Sequence, residues 1–91
     1  MNTVEGTCSP GFGEVRSAFA DNLQSPGELG ASLCVYVDGL PVVDLWGGYR
    51  DAARTQRWAH DTIACVASTG KGPAAMCLLR LVERGLVGLD E

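Results

Sequence analysis

Between Gly13 and Leu23, apolar side chains recur at Val15, Ala18, Phe19 and Leu23, with Glu14, Arg16 and Asp21 among them. That spacing marks one face of a helix, so GEVRSAFADNL is expected to form an amphipathic helix. Gln24-Ser25-Pro26-Gly27 ends it, since proline and glycine cannot continue the ladder. The pattern then changes. Ala31 to Val37 is rich in β-branched and aromatic residues, Asp38-Gly39 is a turn signal, and Val42 to Trp46 is a second run of the same character. These predict a β-hairpin with its turn near Asp38 to Pro41. Two strands are marginal in water and need cover, which the helix is expected to supply on one face. Residues 1–10 lack periodicity and contain Gly6, Ser9 and Pro10. They read as a flexible tail before the folded part, 11–91.

Residues 47–61 are polar and carry Arg50, Asp51, Arg54, Arg57, His60 and Asp61, the pattern of a loop. Thr62 to Ala67 is a brief apolar lead-in. From Gly72 to Leu86 the period is helical again. Pro73 to Leu79 is apolar on every side, whereas Arg80, Glu83 and Arg84 mark the second half. A helix apolar all round is enclosed by protein, so its N-terminal end is expected to lie deep and its C-terminal end nearer water. Gly85 is placed to cap it.

Ninety-one residues make one domain or part of one, with a modest core. Apolar residues at 46% and charged residues at 20% are globular proportions. Net charge is −4, the arginines are scattered, and Lys71 is the single lysine. No basic face for nucleic acid is expected. MNTVEGTCSPGFGEV lacks the basic and apolar regions of a secretory signal, and no apolar run approaches ~18 residues. A cytoplasmic protein without a membrane partner is the resulting expectation. Cys8, Cys34, Cys65 and Cys77 form no CxxC pair, so no zinc site is expected, and the thiols read as reduced and mostly buried.

The candidate chemistry lies in Ser68-Thr69-Gly70-Lys71. A phosphate-binding loop needs glycine five residues before the Gly-Lys pair and Ser or Thr after it; Cys65 and Gly72 stand there instead. Gly11-Phe12-Gly13 lacks the third glycine and the preceding strand of a dinucleotide site. Two readings of Ser68 and Lys71 remain. On a helix, residues three apart share a face, so the serine hydroxyl would sit beside the lysine amine. A serine is a weak nucleophile until a base takes its proton. An amine can do so only when uncharged, and burial and a helix N-terminus both disfavour the ammonium form. The other reading is an ordinary helix start with Ser68 as N-cap. His60 reads as a solvated loop histidine, Trp46 and Trp58 as packing residues, and the arginines of 50–57 as a solvated face.

The order GFGEVRSAFADNL, GELGASLCVYVDGLPVVDLWGGYRD, TIACVASTGKG and LLRLVERGLVGLDE resembles the serine β-lactamase-related hydrolases, most closely the class C-type esterases. The sharpest pieces are Ser68-x-x-Lys71 opening a helix that ends in Leu81 to Leu86, and Val42 to Gly48 after the Val-Asp-Gly turn. The resemblance implies an α/β (α+β) sandwich. It also implies Ser68 as the acylated nucleophile with Lys71 as its proton-transfer partner, no cofactor or metal, and a small-molecule ester or, second, a lactam as substrate. The family's tyrosine motif and its Lys/His-x-Gly strand have no counterpart in these residues. The chain is therefore expected to be an N-terminal piece of that domain, comprising its first helix, first hairpin and nucleophile helix. As a piece it would be inactive alone; the alternative is a non-catalytic or ligand-binding relative.

Overall fold

The computed structural model describes residues 2–91. Its elements run β1 (Val4–Cys8), α1 (Gly13–Leu23), β2 (Gly30–Val37), β3 (Leu40–Gly48), a 3-10 turn (Ala67–Gly70) and α2 (Lys71–Glu83). The three strands form an antiparallel sheet in the order β1-β3-β2.

The hairpin forms as the period-two pattern requires. Asp38 and Gly39 take φ of 50° and 79°, both left-handed, as a two-residue turn matching the strand twist demands. Near the turn the register shifts. Val35 pairs with Val43 but Tyr36 pairs with Pro41, so Val42 is skipped by β2. Its carbonyl instead accepts the Ser9 N–H at 2.8 Å.

Along β3, Val43, Leu45 and Gly47 are buried on one face, while Asp44 and Trp46 point to the other. α1 covers the buried face and contributes Leu23, so the closed core is Leu23, Val43 and Leu45. Gly47 sits where elements converge: a Cβ there would lie 2.3 Å from the Thr3 carbonyl oxygen and 2.7 Å from Leu23 Cδ2.

Residues 1–10 were expected to be loose. Instead Val4–Cys8 is a strand in full register with β3, Val4 opposite Gly47 and Cys8 opposite Val43. Its weak local signal is completed by a partner about forty residues away, which no local window contains. The chain before it is tied down too. Asn2 is buried; its side-chain amide donates to the Leu23 carbonyl at 2.8 Å, and its backbone N–H donates to Gln24 Oε1 at 3.0 Å.

The cysteines also depart from expectation. Cys34, Cys65 and Cys77 are exposed, Cys8 is half-buried, and all four are free. The apolar surface among these residues is too small to enclose them. The molecule is correspondingly long, 52 × 34 × 20 Å, with a radius of gyration of 17.3 Å. A compact chain of this length would have about 12 Å. α2 causes the difference: it packs chiefly on its own 3-10 turn and stands away from the sheet.

Candidate active site

The segment leading from the sheet toward Ser68 is anchored before it departs. Tyr49 bridges Arg57 across the 49–57 loop, and the Trp58 N–H donates to the Gly48 carbonyl at 2.9 Å. Inside the loop the Asp51 carboxylate accepts the backbone N–H groups of Thr55 and Gln56 at 3.0 and 2.9 Å, together with the Thr55 hydroxyl. The Thr55 hydroxyl first, then the Gln56 N–H, hold the Asp51 carboxyl below its ordinary range.

The loop arginines are more than a solvated face. Arg57 pairs with Glu5 at 3.5 Å, Arg54 lies 5.6 Å over the Tyr49 ring, and Arg54 Nη1 donates to Asn2 Oδ1 at 3.2 Å. His60 is likewise not idle: its Nε2 lies 3.0 Å from Asp44 Oδ2, and its ring is 4.8 Å from that of Trp46. Trp46 donates to Glu5 Oε2 at 3.0 Å. Trp58 packs where Gly30 leaves room, since a Cβ on Gly30 would lie 2.7 Å from its ring. Both tryptophans therefore serve packing.

Ser68 lies in the 3-10 turn and Lys71 is the first residue of α2. The N-caps are Val66 for the turn and Gly70 for α2, and neither helix start has a side-chain cap hydrogen bond. The Ser68 hydroxyl is thus not spent as a helix cap, contrary to the ordinary reading of its position. Ala67, directly before it, has φ of 48°. A non-glycine residue in the left-handed region is strained by about 1 kcal/mol or more and persists only where its surroundings demand it. Pro73 falls in the first turn of α2, where backbone N–H groups have no intrahelical partner, so α2 runs unbroken to Glu83. There Gly85, with φ of 75°, donates to Val82 and Leu86 donates to Leu81, which completes a Schellman cap. The capping role of Gly85 is therefore as the sequence predicts.

Burial is not. Ser68, Lys71 and the whole of α2 from Lys71 to Leu81 are exposed, and no residue of α2 is buried. The expectation of a deep N-terminal end fails because nothing among these residues packs on it. Pro73 to Leu79 keeps the apolar composition of an enclosed helix without an enclosure. Among the described residues neither the Ser68 hydroxyl nor the Lys71 amine makes a hydrogen bond, and no cluster of three metal-ligating side chains occurs. No helix among them is long and apolar enough to cross a membrane.

Residues 15–91 match the beta-lactamase family model. The esterase/beta-lactamase LipL of Mycobacterium tuberculosis is 40% identical over 87 residues, which cover 96% of this chain and 20% of LipL. The crystal structure of a family VIII carboxylesterase superimposes with a TM-score of 0.90 at 44% identity, over 93% of this chain and 23% of that one. The chain thus spans about a fifth of the length of these relatives. Because the superposition covers nearly all of it, the small sheet with its helices, outlying α2 included, is that carboxylesterase's own arrangement. By the family match along residues 15–91 and the relatives on either side of it, this chain belongs to the beta-lactamase family.

Proposed function

We propose that this chain carries the nucleophile segment of a serine hydrolase acting by acyl transfer on a small carboxylic ester, with Ser68 as nucleophile and Lys71 as its proton-transfer partner. The observation that supports this most is the position of Ser68. It stands on a strained turn directly before α2, uninvolved in capping, in a chain of this family. Kinship with an esterase/beta-lactamase and a carboxylesterase favours an ester over a lactam.

In the reaction the Ser68 oxygen attacks the ester carbonyl while its proton passes to the Lys71 amine. The alkoxide leaving group takes a proton as the acyl-enzyme forms, and water then releases the acid. Lys71 is exposed, and no other part of these residues encloses it beside Ser68. The 91 residues are therefore proposed to be inactive by themselves and to need protein that covers α2. A second reading, a non-catalytic relative, is favoured by that same exposure of Lys71.

A fluorophosphonate probe and a nitrophenyl ester separate the two. In a chain long enough to cover α2, labelling that maps to Ser68 and ester turnover lost in both Ser68→Ala and Lys71→Ala support the hydrolase. Unlabelled Ser68, or full activity in Lys71→Ala, overturns the proposed pair.

A further inference from the structure

We infer that Arg16 closes the outer edge of β1 to strand addition, and that the strand it holds off is β1 of a second copy of this chain. β1 pairs with β3 on one side only and so presents an edge. Its orientation follows from one bond: the Ser9 N–H points inward to the Val42 carbonyl. In-plane groups alternate along an antiparallel strand, so odd-numbered residues face β3, and Val4, Gly6 and Cys8 turn their N–H and C=O groups outward. Those outward acceptors are what an added strand would use.

Two of the three are already taken. Arg16 reaches round from α1, half-buried, and donates through Nη1 to the Gly6 carbonyl at 3.2 Å and through Nη2 to the Val4 carbonyl at 3.5 Å. The planar guanidinium fork spans two acceptors, which an ammonium point charge cannot do equally well. Among the described residues no side chain occupies the outer edge of β2 in this way. The guard is specific to β1.

The geometry also selects the occupant. A two-fold antiparallel pair of β1 strands centred on Gly6 sets Val4 opposite Cys8 and Glu5 opposite Thr7. The half-buried Val4-Gly6-Cys8 face then continues across both copies, and no carboxylates meet head-on. The obstacle that the described residues place on this edge is the two Arg16 guanidinium groups, which such a pair must expel.

Sedimentation velocity over a concentration series, under reducing conditions, tests this on the 91-residue chain and its Arg16→Ala variant, with amide hydrogen exchange at Val4, Gly6 and Cys8. Loss of two hydrogen bonds that compete with association should tighten it about tenfold. Exchange at those three amides should slow with concentration in the variant and not in the wild type. Arg16→Lys, which keeps the charge and loses the fork, should fall between; it also carries the test should Arg16→Ala unfold. Adding Cys8→Pro to Arg16→Ala removes an outward N–H and should restore wild-type behaviour. Unchanged association in both Arg16 variants, or tighter association with β1 amides still exchanging freely, overturns the inference.

Discussion

His60 Nε2 and Asp44 Oδ2 stand 3.0 Å apart, with the imidazole ring also set against Trp46. The pair joins the end of the 49–61 loop to the middle of β3. This anchors the chain on the sheet face opposite α1, eight residues before Ser68. Its side chains are 65% and 34% exposed, so water and salt screen the attraction. His60→Ala is expected to lower global stability by only about 0.2–1 kcal/mol. Its larger effect is local: limited proteolysis should cut faster between residues 59 and 66 in the variant. Equal cleavage rates would show that the Trp58 contacts alone hold the segment.

Gly47 tests the packing of the core. Gly47→Ala places a methyl against the Thr3 carbonyl and Leu23, and the backbone must yield. Overpacking of this kind costs about 1–3 kcal/mol, and more where the obstacle is main chain. Gly13→Ala, with open space around its Cβ, should be neutral or slightly stabilising. Urea titrations of the two variants check the contrast.

The acid sensitivity of the 51–56 turn follows from Asp51, whose carboxyl is held below its ordinary range by Thr55 and Gln56. The folded value is lower than the unfolded one, about 3.9. The stabilisation is therefore complete above that value and is lost as pH falls through the lower folded one. Amide signals of Thr55 and Gln56 should hold from neutrality to about pH 4 and shift only below it. Asp51→Asn should show the disturbed signals at pH 7 already.

Exposed apolar surface governs the behaviour of the isolated chain. Ile63 is 93% exposed and Met76 70%, and Met76 and Leu79 line one open patch on α2. Patches of this kind drive association. The 91-residue chain is expected to bind a hydrophobic dye and to self-associate. The double substitution Met76→Glu with Leu79→Glu should reduce both. A sharp, cooperative calorimetric melt of a wild-type monomer would contradict this.

Labelling at Ser68 gives the functional counterpart. In the 91 residues alone, fluorophosphonate modification should be slow and ester turnover close to that of buffer, because Lys71, the proposed proton acceptor, is exposed and not enclosed by other protein. Turnover by the isolated chain that disappears in Ser68→Ala would show that α2 needs no cover.

The sequence by itself determined α1, the Asp38-Gly39 hairpin and the Gly85 cap. Each depends on contacts or dihedral preferences within a few residues: a helical apolar stripe, a left-handed pair in a tight turn, a glycine after a helix. It also carried the family, because Ser68-x-x-Lys71 and the Val42 to Gly48 run are local strings. The tertiary structure alone decided the rest. Val4–Cys8 is a strand because β3 lies beside it, and the polar loop has order because Glu5, Asn2 and Asp44 reach it from distant positions. The placement of α2 was the sharpest departure. Composition says what surroundings a helix favours, but burial requires other elements to supply them, and among these residues none reaches Pro73 to Leu79.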